Sequence, residues 1–291
     1  MKKIISAAVA AIGIAASAPA SAIIVGGIDF GAIGATAHLE TATLAESFVN
    51  AVGQSVDGYG LVTTVNGDST YCADGSSNCA LYFTFSFPVS GFTASGVTFS
   101  SGVMDIYYSA NPAINLLGQS SAANIAFIQG ETEWARFNGH TFSDLIFNAV
   151  DFIGGNLLPD TYVLNGNGTL TGTSLTQNGQ GQADVDTTGV FGIASVAAYL
   201  DGNSQPDGLG GFSDLVLTSS TNNTVLNPFD IANGSADSCR TASPDVGDWC
   251  LQGTLNTRGT TKIPEPVSLA LFSLGLFGIR MSSRWRSGKL A

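Results

Sequence analysis

The stretch Leu81-Tyr82-Phe83-Thr84-Phe85-Ser86-Phe87 constrains the fold more than any other part of the chain. Leu81, Phe83, Phe85 and Phe87 recur at every second position, with Tyr82, Thr84 and Ser86 between them. A period of two places the large apolar groups on one face of an extended chain and the others on the opposite face, which predicts a half-buried strand. Pro88 is expected to end it, because proline cannot donate a ladder hydrogen bond. Further apolar runs of strand length are Leu61–Val65, Val97–Phe99, Val103–Tyr108, Leu145–Ile153, Thr161–Leu164, Gly168–Leu175, Val190–Leu200 and Asp214–Ser219. Turn signals separate them: Asn66-Gly67, Asp74-Gly75, Asn111-Pro112, Gly154-Gly155, Asn165-Gly166, Asn178-Gly179 and Pro206-Asp207-Gly208. Many short strands punctuated this way predict an all-β, antiparallel sandwich or jelly-roll-like domain.

Two stretches read differently. Glu40, Leu44, Phe48 and Val52 recur every four residues, with Ala45 and Val49 beside them, which fits an amphipathic helix; Thr41 and Thr43 favour a strand. The reading leans to a helix. A second short helix is expected near Ala122–Phe127.

The two ends of the chain are set apart by composition. Lys2 and Lys3 precede an uncharged apolar run from Ile4 to Ala16, followed by the small residues of Ser17-Ala18-Pro19-Ala20-Ser21-Ala22. Charge, apolar run and small-residue exit, in that order, predict an export signal over residues 1–22, cut after Ala22 or, as the alternative, after Ala20. At the other end, Pro264-Glu265-Pro266 precedes an uncharged run from Val267 to Ile279 and then Arg280, Arg284, Arg286 and Lys289. These 13 residues would span only ~20 Å as a helix, against a hydrocarbon core of about 30 Å. Basic residues on one flank suit a cytoplasmic end, and a snorkelling Arg280 with Met281 and Trp285 extends the apolar contact, giving a single short transmembrane helix over 267–283 and a basic end over 280–291.

Between the ends lies one region, residues 23–262, long enough to bury a substantial core. Only Arg136, Arg240, Arg258 and Lys262 of the 10 Lys and Arg fall in it, against 21 of the 22 acidic residues, so its formal charge is −17. A phosphate backbone would be repelled, which excludes nucleic acid as a partner; cations and basic surfaces would be attracted. The four cysteines form two close pairs, Cys72 with Cys79 and Cys239 with Cys250. In an exported chain disulfides persist. Of the three connectivities, local pairing costs least loop closure and would stabilise each loop by about 2.5–3 kcal/mol. Zinc would need closer ligand spacing, and His38 and His140 are remote from both pairs in sequence.

The densest run of reactive side chains is Glu131-Thr132-Glu133-Trp134-Ala135-Arg136-Phe137-Asn138-Gly139-His140, with Asp144 beyond. Glu131 and Glu133 would share a face on a strand and could act as paired carboxylates in glycoside hydrolysis; otherwise both line a solvated face, one of them paired with Arg136. His140 could serve as a base, but no Gly-x-Ser-x-Gly elbow, Ser-x-x-Lys pair or phosphate-cradling loop accompanies it. No catalytic constellation emerges.

The strongest ligand candidate is Asp201-Gly202-Asn203-Ser204-Gln205-Pro206-Asp207-Gly208, with Asp214 beyond it. Oxygen side chains at alternate positions, Asp201, Asn203, Gln205 and Asp207, suit a hard cation such as calcium. The EF-hand order is not met, since Pro206 stands at its sixth position and Phe212 at its twelfth; the competing reading is an ordinary turn. Asp184 and Asp186 form a weaker version of the same pattern.

The C-terminal residues carry a resemblance. Pro264-Glu265-Pro266, Ser268-Leu269-Ala270-Leu271, Leu274-Gly275-Leu276-Phe277-Gly278 and the closing arginines resemble the PEP-CTERM sorting signal. Val267 stands where that family usually has a small residue, and Trp285, Ser287 and Gly288 interrupt the basic patch. The resemblance covers only the tail, residues 263–291. It implies an exosortase as partner after signal peptidase, inner-membrane anchoring through the C-terminal helix before processing, and then a place at the cell surface or outside the cell. It also implies a Gram-negative bacterium that makes extracellular polysaccharide. The expected function is a structural or adhesive protein of exopolysaccharide, biofilm or floc. Two alternatives stand beside it: a carbohydrate-binding module using Tyr107, Tyr108, Trp134 and Trp249, and a secreted hydrolase using Glu131, Glu133 or His140.

Overall fold

A computed structural model describes residues 22–31, 36–93, 96–99, 102–140, 176–207, 211–222, 246–249 and 251–262, all of which fall in the unit Ala22–Lys262. In chain order the first strands are β1 (Ile24–Val25), β2 (Ile28–Asp29), β3 (Thr36–Glu46), β4 (Ser55–Val62), β5 (Thr64–Val65), β6 (Ala80–Thr93), β7 (Gly96–Phe99) and β8 (Val103–Ser109). Helix α1 (Ser121–Gln129), strands β9 (Thr132–Gly139) and β10 (Thr176–Val185) and helix α2 (Ala194–Leu200) follow. The last strands are β11 (Gln205–Pro206), β12 (Phe212–Ser213), β13 (Leu215–Asn222) and β14 (Leu251–Thr260).

The fold is all-β and antiparallel, as the alternation predicts, but its sheet closes on itself. Strands β3, β4, β6, β8, β9, β10, β13 and β14 hydrogen-bond in that order, and β14 returns to pair with β3. Neighbours in the ring are neighbours in the chain, so among the described residues this is an up-and-down barrel without the crossovers of a jelly roll. A barrel of eight strands is just wide enough for side chains to fill. Leu39, Phe83, Phe85, Met104, Ile106, Phe137, Leu217 and Leu255 belong to one buried cluster. The cavity left among Phe83, Met104, Ile106 and Leu255 is about 10 Å³, room for one water molecule.

The large rings fit because small residues stand opposite them. On β4, Gly58 faces Phe85 of β6 and Gly60 faces Phe83. A Cβ on Gly58 would lie 2.1 Å from the Phe85 ring, and one on Gly60 would lie 2.6 Å from that of Phe83. The rings of Phe83, Phe85 and Phe87 stack in a row, with centroids 6.3 and 4.4 Å apart.

Pro88 does not end β6. The Val89 N–H bonds to the Gln54 carbonyl at 2.8 Å, so the imino side of Pro88 faces the opposite neighbour, β8, whose ladder has already stopped at Ser86. The missing donor therefore costs no hydrogen bond.

A bulge between β8 and β9 leaves Trp134 without a partner residue, since Ile106 pairs with Ala135 and Tyr107 with Glu133. Trp134 turns wholly inward, donates Nε1–H to the Gly26 carbonyl at 2.9 Å and stacks on Phe30. Gly26 has a φ of 57°, and a Cβ there would lie 2.5 Å from Trp134 Nε1. Phe30 in turn meets Tyr199 of α2 at 4.9 Å between centroids. On the outer wall, Tyr59 and Tyr82 hold the segment that contains α1. Tyr59 donates to Ser121 Oγ at 3.0 Å and accepts from Asn124 at 3.1 Å, while Tyr82 accepts from the Ile114 N–H at 2.9 Å.

Three expectations are corrected or sharpened. Residues 36–46 form β3 rather than a helix, locked between β4 and β14. A recurrence of four is also a multiple of two, so it marks one face of a strand equally well. A register shift opposite Gly253–Leu255 then moves the buried positions from Ala37 and Leu39 to Leu44. Ala194–Leu200 is helix α2 rather than strand, with Val196, Ala197 and Leu200 buried. The short helix expected near Ala122–Phe127 is α1, capped by Ser120, whose hydroxyl accepts the Ala123 N–H at 3.2 Å. A disulfide joins Cys72 to Cys79; the pair Cys239 and Cys250 lies outside the described residues, as do the expected strands at 145–153, 161–164 and 168–175.

Candidate functional site

The most concentrated polar chemistry inside the described unit gathers where β9 ends. His140 follows β9, and its backbone N–H donates to the Gln182 carbonyl at 3.1 Å, which sets it beside β10. Asn138 pairs with Asp184 in that short ladder. The imidazole Nδ1 then lies 2.7 Å from Asp184 Oδ2. On its other side, Nε2 lies 3.5 Å from Asp207 Oδ2. His140 is buried, and the Asp207 side chain is only 2 % exposed.

The segment carrying Asp207 is tied down at several points. Asp207 Oδ1 accepts the Gly211 N–H at 2.9 Å, and β11 pairs with β12 across this turn. Gln182 Nε2 donates to the Pro206 carbonyl at 3.0 Å. Buried Asp214 accepts the N–H of Asn203 with one oxygen and that of Val185 with the other, both at 2.8 Å. Asp201 accepts from Asn203 Nδ2 and pairs with the Lys262 ammonium, while the Lys262 N–H donates to the Tyr199 carbonyl.

These surroundings bias the imidazole toward its charged form. Burial alone would lower the pKa of His140, but the hydrogen bond and charge of Asp184, and then those of Asp207, raise it above its ordinary value. Burial pushes the Asp214 carboxyl up, opposed by its two backbone hydrogen bonds. Both ring nitrogens face carboxylates, Nδ1 that of Asp184 and Nε2 that of Asp207.

The proposed cation ligands therefore have other partners in this structure. Asp201 is engaged by Lys262 and Asn203, and Asp207 is turned toward His140. Gln205 donates to Ser204 Oγ at 3.3 Å, and Asn203 sits at a φ of 45°. Asp186 accepts from the Thr188 N–H at 2.8 Å. Among the described residues, no group of three or more His, Cys, Asp or Glu is placed to hold a metal ion.

In the acidic run the two glutamates lie toward solvent, as the solvated-face reading expects, but without the arginine partner it assigned them. Glu133 is exposed and Glu131 half-buried, and Arg136 pairs with neither. Arg136 instead grips Asp105, its cross-strand neighbour, through Nε at 2.6 Å and Nη2 at 2.8 Å. Its guanidinium also lies 4.2 Å over the Phe191 ring. The aromatics considered as a sugar platform face inward or pack on neighbours. Trp134 and Tyr107 are buried, Tyr108 packs against the core, and Trp249 meets Tyr59 edge-on at 5.1 Å. Asp144, the sorting residues Pro264, Glu265 and Pro266, and the basic residues Arg280, Arg284, Arg286 and Lys289 lie outside the described residues.

Sequence reasoning singled out His140, Asp184 and Asp207 separately, under different chemistries. Their convergence was not legible, because 44 residues separate His140 from Asp184 and no local motif joins them. No helix among the described residues is long and apolar enough to cross a membrane. The chain matches no protein-family model, no curated protein and no solved structure.

Proposed function

We propose that this chain is a non-catalytic exported protein, sorted at its C-terminus by an exosortase and serving as a structural or adhesive component of exopolysaccharide, biofilm or floc. The observation that carries the reading is the order of parts at the chain's end: Pro264-Glu265-Pro266, the uncharged run Val267 to Ile279, and the basic residues from Arg280 to Lys289. The lysine-led apolar start, Lys2 to Ala22, supports export. The described barrel supports a structural role in two ways. Its interior is filled by its own side chains, and His140, the residue best suited to act as a base, is clamped between Asp184 and Asp207. A formal charge of −17 over residues 23–262 suits a protein held in solution or drawn to cations outside the cell.

The test is intact-mass measurement of the mature protein from a strain with an active exosortase and from its exosortase deletion. The proposal expects loss of the segment from about Val267 onward in the first strain and its retention in the second. A mature protein that keeps Arg286 and Lys289 in both strains overturns it.

A further inference from the structure

We infer that the hairpin formed by β1 and β2 is a stopper seated in one mouth of the barrel, and that the Cys72–Cys79 bridge is the redox-operated catch that holds it there. The inference concerns the barrel alone and holds whether or not the tail beyond it is a sorting signal.

The partners of the hairpin all come from one end of the ring. Adjacent strands run antiparallel, so the start of β6, the end of β8, the start of β9 and the end of β10 share a mouth. Tyr71 and Cys72 precede β6, Tyr108 lies near the end of β8, Trp134 near the start of β9, and α2 follows β10. Ile28 and Phe30 are buried there in the same cluster that fills the interior, with Tyr108 packed against it. Trp134 Nε1 donates to the Gly26 carbonyl, Phe30 meets Tyr199 of α2, and Asn66 Nδ2 donates to the Phe30 carbonyl at 2.8 Å.

The outer edge of the hairpin is held by the segment that enters the disulfide loop. The Asp29 N–H donates to the Tyr71 carbonyl at 2.8 Å, the Ala73 N–H donates to the Gly27 carbonyl at 2.9 Å, and Ile28 pairs with Cys72 between them. Tyr71 is moored to the barrel wall: its hydroxyl donates to the Val62 carbonyl at 2.9 Å and accepts the Leu81 N–H at 3.2 Å. Beyond Cys72 the chain runs through Ala73-Asp74-Gly75-Ser76-Ser77-Asn78, exposed except for half-buried Ser76. This loop adds nothing to the core. Its ends are joined by the bridge to Cys79, which stands next to Ala80 at the start of β6 and whose N–H donates to Cys72 Sγ at 2.9 Å. A short polar loop gains much freedom once its ends are parted, so breaking the bridge loosens Ala73 and with it one edge of the hairpin.

The chemistry is thiol–disulfide exchange. A dithiol attacks the bridge and the S–S bond breaks. Two electrons and two protons leave Cys72 and Cys79 as thiols, and the dithiol closes to its own disulfide; a disulfide donor reverses the step. The coupling is reciprocal. Cys72 is 4 % exposed and Cys79 7 %, and Cys72 lies beside Ile28 of β2, so a seated hairpin shields the sulfurs from the dithiol. Reduction unseats the stopper, and unseating the stopper opens the bridge to reduction.

The experiment uses the full chain in detergent micelles. Hydrogen–deuterium exchange is compared between the natural chain and Cys72→Ser/Cys79→Ser. Reduction by dithiothreitol is timed by alkylating Cys72 and Cys79 and mapping that peptide by mass. The expected result is an about tenfold or greater loss of protection in the double variant at the amides of Asp29, Phe30 and Ala73, with those of Asn124 and Gly130, in and just after α1, unchanged. Trp134→Phe keeps the bridge and an aromatic ring but removes the donor to Gly26, loosening the hairpin from its inner side. In that variant the bridge should be reduced about two- to tenfold faster. This second arm decides the matter should the serine variant fail to fold. The inference is overturned by hairpin amides as protected without the bridge as with it, by an equal loss at Asn124 and Gly130, or by a reduction rate that Trp134→Phe leaves unchanged.

Discussion

Replacing Gly58 with alanine tests the idea that the barrel closes because glycines make room for rings. The two residues Gly58 and Phe85 are direct cross-strand partners, and the new Cβ would meet the Phe85 ring at 2.1 Å, where ordinary contact needs 3.4–4 Å. The ring has little room to retreat, because Phe87 stacks on it at 4.4 Å and Phe85 is 4 % exposed. Two effects compete. Removing a glycine from the unfolded chain favours the fold by about 0.4–1 kcal/mol, while forcing a methyl into a filled core costs about 1–3 kcal/mol. The contact is short enough that overpacking should win, with a net loss of about 1–2 kcal/mol. At roughly 2–4 °C per kcal/mol for a unit of this size, the thermal midpoint should fall by about 2–8 °C. Circular dichroism during thermal and urea unfolding reads this directly. Gly118→Ala is the control, since a Cβ there would meet nothing closer than 3.9 Å. Phe85→Leu supplies the relief: in the double variant the two substitutions should couple favourably by about 0.5–3 kcal/mol. A neutral or stabilising Gly58→Ala, or strict additivity with Phe85→Leu, would refute the packing argument.

Two further outcomes are expected. Replacing Cys72 and Cys79 together by serine should lower the stability by about 2–3 kcal/mol, seen as an earlier urea midpoint with an unchanged barrel spectrum; an unchanged midpoint would mean that the bridge constrains nothing. Calcium should raise the thermal midpoint no more than magnesium at equal ionic strength, because Asp201 and Asp207 are engaged by Lys262 and His140; Asp207→Ala should destabilise the chain even with a chelator present. A calcium-selective rise that Asp207→Ala abolishes would restore the cation-loop reading.

The parts of the barrel that could be read from sequence are those whose interior side chains are large. Leu81 to Phe87 announces β6 because bulky and smaller groups alternate. Strand β10 stayed hidden because its interior positions include Gly181 and Ala183, small residues flanked by glutamines, so the alternation is one of size and not of hydropathy. Helix α2 did carry a helical signal, Ile193, Val196, Ala197 and Leu200, but its β-branched members imitate a strand and no side chain caps it. The cluster of His140, Asp184 and Asp207 was least legible. A loop of alternating oxygens looks alike whether it awaits a cation from solvent or a histidine from the end of another strand.

Closure of the ring also has a consequence for how the chain reaches this state. Thr36 at the start of β3 pairs with Thr260 at the end of β14, so the last ladder joins two points separated by nearly the whole described sequence. Made first, that contact would cost about 5 kcal/mol of loop entropy beyond a constant. Made last, after each strand has zipped to its predecessor, it costs little, because the intervening strands have already carried the two edges together. Sequential zipping with β14 docking last is thus the order of lowest loop-closure cost. Until it docks, β3 and β13 each present an unpaired edge to any neighbouring chain. Chains cut short before Leu251 would be arrested in that sticky, open form, and concentration during refolding should decide between closed monomers and edge-paired aggregates.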